Sequence, residues 1–205
     1  MTERGPVHVV DDDPGMRDSL RMLLESSGFA VCTHDRAEAF LSGVESLSGC
    51  VLTDLRMPGI DGLELQRRLR ERGIQVPVIV MTGVGDVGIA VRAMKTGAID
   101  FLEKPFADEA LFDAVGRALE ESERLRTAAT TAREAEERLA ALTPREREVL
   151  DLLVEGLPNK AIANALGTSP RTIEVHRARV LEKLRSHSLP DLMRVVLAAR
   201  SVGGA

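Results

Sequence analysis

The sequence contains no tryptophan and no tyrosine, and its five phenylalanines (Phe29, Phe40, Phe101, Phe106 and Phe112) all fall within the first 112 of 205 residues. The later part of the chain thus has no stacking platform for unpaired bases, which weighs against binding of single-stranded nucleic acid there. Only two cysteines occur, Cys32 and Cys50, each inside an apolar run and without C-x-x-C spacing. That excludes a disulfide framework and a structural zinc site, and both side chains read as core thiols. No run approaches the roughly 18 consecutive apolar residues of a spanning helix. The N-terminal MTERGP lacks the apolar core of a signal peptide, so the expected location is cytoplasmic with no membrane partner. What is present, 44% hydrophobic and 29% charged residues, is the balance of a folded protein of one or two domains.

The formal net charge of -5 hides a split at Thr143. Residues 143–205 hold 10 Lys/Arg and 7 Asp/Glu, net +3, whereas the residues before them hold 17 and 25, net -8. A basic module attached to an acidic one suggests an acidic partner, nucleic acid first.

Short β-rich runs at 7–10, 30–33, 50–53, 78–82 and 100–102 alternate with amphipathic segments near 14–27, 36–45, 62–72 and 86–96. Apolar strands separated by helices predict a parallel sheet covered on both faces, with ligands beyond the carboxyl ends of the strands. Those ends carry Asp11, Asp12 and Asp13, then Asp54, Thr82 and Lys104-Pro105. Asp13, before Pro14, reads as a helix cap. Asp11, Asp12 and Asp54 would crowd together, and their repulsion calls for a cation. Hard carboxylate oxygens without nearby His or Cys favour Mg²⁺. The Lys104 ammonium and Thr82 hydroxyl supply the charge and donors that a transferring phosphoryl group needs, which leaves Asp54 as the nucleophile.

The strings VVDDD (9–13), LTDLRMPGIDG (52–62), VIVMTG (78–83) and DFLEKPF (100–106) resemble the receiver domains of bacterial two-component response regulators, over residues 5 to 122. The resemblance implies a doubly wound α/β domain with a five-stranded parallel sheet of order 2-1-3-4-5. It implies that Asp54 accepts phosphate from a sensor histidine kinase. It also implies Mg²⁺ held by Asp11, Asp12, Asp54 and the Arg56 carbonyl, and a cis peptide before Pro105. Thr82 would move toward the phosphoryl group and Phe101 would turn inward behind it, although Phe101 can equally be read as plain core.

After Asp108 the pattern turns helical and stays so to Pro144. Its stripe, Leu111, Val115, Ala118, Ser122, Leu125, Ala129, Ala132, Glu136 and Leu139, is mostly small or polar, so a helical spacer fits better than a coiled coil. The weak helix formers at 127–132 allow a kink. The expected division is a receiver at 1–122, a linker at 123–141 and a second domain at 142–205.

That last part reads as four short helices, opened by the capping box Thr143-Pro-Arg-Glu146. A helix, a turn containing Gly167 and a helix starting at Ser169-Pro170 give a helix-turn-helix pattern. The strings LTPREREVL (142–150), NKAIANALG (159–167) and RTIEVHRARVLEKL (171–184) resemble the LuxR/FixJ type. Ile162, Ala163, Leu166, Ile173, Val180, Leu181 and Leu184 fit inward faces. Arg171, Glu174, Val175, Arg177, Ala178, Arg179 and Lys183 are then the expected contacts in the major groove of duplex DNA, and Lys160, Thr168, Ser169 and Thr172 those to phosphate. Glu174 and Arg177 could instead form a solvated surface pair, and His176 reads as packing or capping. Pro158 stands where the family often has a small hydroxylated residue, which puts that cap in doubt.

Taken together, the pair of modules resembles the FixJ branch. The resemblance implies a non-enzymatic transcriptional activator phosphorylated by an oxygen-responsive, FixL-like kinase. It would act with RNA polymerase on nitrogen-fixation or microaerobic genes. Phosphorylation would turn the face of segment 86–96 and the fifth strand into a homodimer surface containing Val91, Arg92, Lys95 and Ile99. One rival is an aspartyl-phosphate hydrolase, disfavoured because those enzymes carry D-x-D where this chain has Asp54-Leu55-Arg56. Another is a constitutive DNA-binding protein whose receiver is only a scaffold.

Overall fold

The computed structural model describes residues 5–44, 47–83 and 97–200. Two compact units emerge, Met1–Arg126 and Thr127–Ala205. In the first, strands β1 (Val7–Val10), β2 (Val31–His34), β3 (Cys50–Asp54), β4 (Val78–Thr82) and β5 (Asp100–Glu103) form a parallel sheet of order β2-β1-β3-β4-β5. Helices α1 (Pro14–Ser26), α2 (Ala37–Ser42) and α3 (Gly62–Glu71) lie between strands in the chain, and α4 (Asp108–Ala140) follows β5.

Alternation along the strands sorts their side chains onto two cores. Val7, Val9, Cys50, Leu52, Ile79, Met81 and Leu102 pack with Leu20 and Leu24 of α1 and with Leu111, Ala114, Val115 and Ala118 of α4. Val10, Val51 and Val80 face the other way, onto Phe40 and Leu41 of α2 and Leu65 and Leu69 of α3. Parallel strands buried on both faces become continuous apolar runs, which is how β3 and β4 read in the sequence. Because all five strands run the same way, Asp11, Asp54, Thr82 and Lys104 lie at one edge of the sheet.

Cys50 is buried as expected, but Cys32 is exposed, which corrects the reading of both cysteines as core thiols. Among the described strands β2 lies at the edge and pairs with β1 alone, and on the face Cys32 shares with His34, the rings of α2 and β1 cover His34. Burial pushes the Cys50 thiol up to about 12, so it is an inert packing group.

α4 is helical without interruption across 127–132, where weak helix formers allowed a kink. There the Thr131 hydroxyl donates to the Thr127 carbonyl at 2.9 Å, a bond that lets a threonine sit inside a helix.

The second unit contains α5 (Pro144–Val154), α6 (Asn159–Ala165), α7 (Pro170–Lys183) and α8 (Leu189–Arg200). Thr143 and Glu146 form the expected capping box. Pro158 is the N-cap of α6 and offers no side-chain cap, so the doubt over that cap is justified. Ala135 and Leu139 from the end of α4 pack with Leu150, Val180, Leu184 and Leu192. Val149, Leu153, Ile162, Ala163 and Ile173 form a second cluster that sets α6 against α7.

Candidate functional site

At the strand ends, Lys104 Nζ donates to Asp54 Oδ1 at 2.6 Å and to Asp11 Oδ2 at 3.2 Å. Lys104 is placed by the sheet: its amide donates to the Thr82 carbonyl at 2.7 Å, and a cis bond to Pro105 follows. Asp11, only 2% exposed, accepts the Asp13 amide at 2.9 Å on Oδ1, and its carbonyl accepts Arg17 at 2.8 Å. Asp13 caps α1 through the amides of Gly15 and Met16, as its place before Pro14 predicted. Asp54 Oδ2 accepts the Arg56 amide at 2.7 Å.

The charges explain the geometry. Burial raises the Asp11 carboxyl above its ordinary value, opposed by the Asp13 amide and the Lys104 ammonium. Burial works to lower Lys104, but hydrogen bonds and charge from Asp54 and Asp11 outweigh it, and the net direction is up. Lys104 is therefore a fixed cation between two carboxylates, one of which, Asp54, keeps 14% of its side-chain surface exposed, enough for a small reactant to reach an oxygen.

Thr82 is buried at the end of β4, and Phe101 on β5 is 40% exposed, which removes the plain-core reading of that ring. Asp12 is exposed and lines an open depression together with Leu55, Arg56, Met57, Pro58 and Asp61. It does not join Asp11 and Asp54: among the described residues no three His, Cys, Asp or Glu side chains converge as a metal cage.

Sequence reasoning missed Glu38. Its carboxylate, on α2, accepts the Ile60 amide at 3.2 Å and so ties down the loop that follows Asp54. No local pattern marks a contact between residues 22 apart in the chain.

In the second unit, Lys160, Ser169, Arg171, Thr172, Glu174, Val175, Ala178 and Arg179 are exposed. Arg171, Glu174, Val175 and Ala178 line one shallow depression on α7. Ser169 caps α7 by accepting the Thr172 amide, and its hydroxyl meets that of Thr172 at 2.9 Å. Three of the expected DNA contacts are partly covered. Thr168 is half-buried, Arg177 donates to Asn159 Oδ1 at 3.3 Å rather than pairing with Glu174, and Lys183 is held by Glu146 and the Ala141 carbonyl. The His176 ring packs inward, and its Nδ1 is buried without a hydrogen-bond partner among the described residues. Of the expected dimer contacts, Ile99 packs against the first core, while Val91, Arg92 and Lys95 lie outside the described residues.

Two family models match the chain: response regulator receiver domain over residues 7–116, and bacterial regulatory proteins, luxR family, over 140–196. It is 54% identical over 200 residues to the transcriptional regulatory protein FixJ of Azorhizobium caulinodans, covering 97% of this chain and 95% of that one. Identity to the protein of the same name from Bradyrhizobium diazoefficiens is 48%, covering 97% and 98%. Among solved structures, full-length FixJ from B. japonicum matches with 46% identity and a TM-score of 0.59, covering 98% of this chain and 99% of that one. Response regulator StyR matches with 44% identity and a TM-score of 0.82, covering 94% and 98%.

Proposed function

Since the chain belongs to the LuxR/FixJ-type two-component response regulators, we propose that Asp54 is its phosphoacceptor and that phosphate on Asp54 controls promoter binding through α7. The protein is a phosphorylation-dependent transcriptional regulator and not an enzyme. One observation carries the assignment of Asp54: its Oδ1 lies 2.6 Å from the Lys104 ammonium, which also holds Asp11. Carboxylate attack on phosphorus forms an acyl phosphate and expels the donor's leaving group. Lys104 is positioned to neutralise the charge on the equatorial oxygens, and the Thr82 hydroxyl ends the adjacent strand.

Receiver domains generally bind Mg²⁺, and the donors here fit it. They are hard oxygens, and two carboxylates already converge, about the number of protein ligands Mg²⁺ takes while keeping its waters. Asp11 and Asp54 would hold the ion, with Asp12 and the Arg56 carbonyl bordering it. When bound, it supplies charge neutralisation for phosphoryl oxygens.

Phosphorylation adds about two negative charges, and only differential contacts with Thr82 and Lys104 convert that charge into a shift between conformations. Phe101, partly exposed, is the aromatic that follows Thr82 inward. The surface around Val91, Arg92, Lys95 and Ile99 then pairs two copies. Arg171, Glu174, Val175, Ala178 and Arg179 meet base edges, while Lys160, Ser169 and Thr172 meet phosphates. FixJ-like regulation of nitrogen-fixation or microaerobic genes, under a FixL-like kinase and together with RNA polymerase, is the physiological role we assign.

The test is the intact mass of wild type and Asp54→Asn after incubation with acetyl phosphate and Mg²⁺. A single phosphoryl adduct on wild type alone, lost when Mg²⁺ is chelated, is the expected result. No adduct on either protein leaves a constitutive DNA-binding scaffold instead.

A further inference from the structure

We infer that Glu38 is a positioning residue for the Asp54 site, acting through the loop 55–61. The inference rests on the phosphoacceptor reading above and deepens it. The loop leaves β3 with Asp54 already bonded to the Arg56 amide at 2.7 Å. It is held on one side by burial of Leu55, Met57 and Ile60 against Ala37, Phe40 and Leu41 of α2. On the other side, Gly62 donates to the Leu55 carbonyl at 3.1 Å and closes the loop. A Cβ at Gly62 would meet the Asp54 carbonyl at 2.5 Å, so this closure requires glycine.

Between these anchors the backbone turns at Gly59, with φ of +80°. The turn presents the Ile60 amide to Glu38 Oε1 at 3.2 Å. The approach is close enough that a Cβ on Gly59 would stand 2.4 Å from the same oxygen. Glu38 is exposed, so its carboxylate is held there by this bond and not by packing.

The bond fixes the far end of a segment whose near end carries two groups that matter. These are the Arg56 amide on Asp54 Oδ2 and the Arg56 carbonyl, which borders the cation site. Partners one step removed from a metal commonly alter its affinity without touching it, because they orient the atoms that do. Glu38 fits that role for Arg56.

The experiment compares full-length wild type, Glu38→Ala, Glu38→Gln and Gly59→Ala. Hydrogen exchange of the Ile60 and Arg56 amides is measured by NMR without metal, and Mg²⁺ alone is titrated by calorimetry. Phosphorylation by acetyl phosphate is then followed against Mg²⁺ concentration. In Glu38→Ala both amides exchange faster and Mg²⁺ binds roughly tenfold more weakly, the low end for such partners. The half-saturating Mg²⁺ for phosphorylation rises by the same factor while the plateau rate is retained. Glu38→Gln keeps an acceptor oxygen and restores all three readouts. Gly59→Ala, with Glu38 intact, reproduces the alanine variant because the added Cβ pushes the carboxylate off the Ile60 amide.

Mg²⁺ affinity in Glu38→Ala within about twofold of wild type overturns the inference while leaving Asp54 as phosphoacceptor. So does a Glu38→Gln variant as impaired as Glu38→Ala. If wild type neither binds Mg²⁺ nor gains phosphate, the phosphoacceptor reading fails first, and the inference falls with it.

Discussion

Lys183 donates to Glu146 at 2.6 Å, joining the last turn of the proposed recognition helix to the first turn of α5. Glu146 is 3% exposed, and the same oxygen accepts the Thr143 amide at 2.8 Å. The Lys183 ammonium, then the Thr143 amide, hold this carboxyl at about 2, against an ordinary 4.5. A carboxyl depressed in the folded state adds stability that is fully present above pH 4.5 and lost as pH falls toward 2. Lys183→Met should therefore destabilise the second unit by about 1–2 kcal/mol at pH 7, less than a fully buried broken pair because the lysine is partly solvated. Urea melts at pH 7 and pH 3 check this, with a smaller difference expected at the lower pH. Unchanged stability together with a shallower salt dependence of DNA binding would instead make Lys183 a phosphate contact.

The His8 and His34 rings meet at 3.4 Å between Nδ1 and Nε2, and both pack on Phe40. Burial lowers both below the ordinary 6.5. A bond to the Ser48 backbone partly offsets this for His8; for His34 the His8 charge adds to it and Asp35 opposes it. A histidine kept neutral by folding stabilises the protein above its unfolded value, and that stability is lost as pH falls below it. The urea midpoint of the first unit should drop between pH 7.5 and 5.5, and His34→Gln should flatten that slope. A wild-type midpoint that does not move over this range would contradict the assignment.

How much of this could be read in the sequence follows from which contacts are local. The strand runs, the Asp13 cap, the Thr143–Glu146 box and the Ser169 cap depend on residues within a few positions of each other, and the structure contains all of them. The gathering of Asp11, Asp54 and Lys104 is not local, but parallel strands force it once the sheet is recognised. Glu38 on Ile60, Lys183 on Glu146 and Arg177 on Asn159 each depend on how two helices or a helix and a loop pack. Periodicity does not encode those choices. Cys32 was misread because its apolar neighbours say nothing about whether the strand is central or at an edge.

Leu139 shows the same limit. It belongs to a stripe of nine positions along α4, yet Ala129, midway, is exposed while Leu139 is 9% exposed within the core of the second unit. Leu139→Ala should cost that unit about 2–4 kcal/mol, as for other buried leucines, whereas Ala129→Ser should stay within about 0.5 kcal/mol. Thermal melts of the two variants check the contrast. Equal small effects would mean that α4 ends outside the core.

Val175 is 48% exposed on α7, between Arg171, Glu174 and Ala178. An isopropyl group left in water beside Arg171 and Glu174 has one apolar counterpart in the major groove, the C5-methyl of thymine. If α7 enters the major groove as proposed, duplexes selected by the phosphorylated protein from a random pool should contain a thymine whose replacement by deoxyuridine weakens binding. The loss should be near the worth of one buried methyl, about 0.8 kcal/mol or roughly fourfold. Val175→Ala should bind the two duplexes almost equally, because the group that senses the methyl is gone. Arg171→Ala, by contrast, should weaken both duplexes alike and leave the thymine preference intact. If Val175→Ala keeps the full preference, the methyl is sensed elsewhere, and the exposed valine has another purpose.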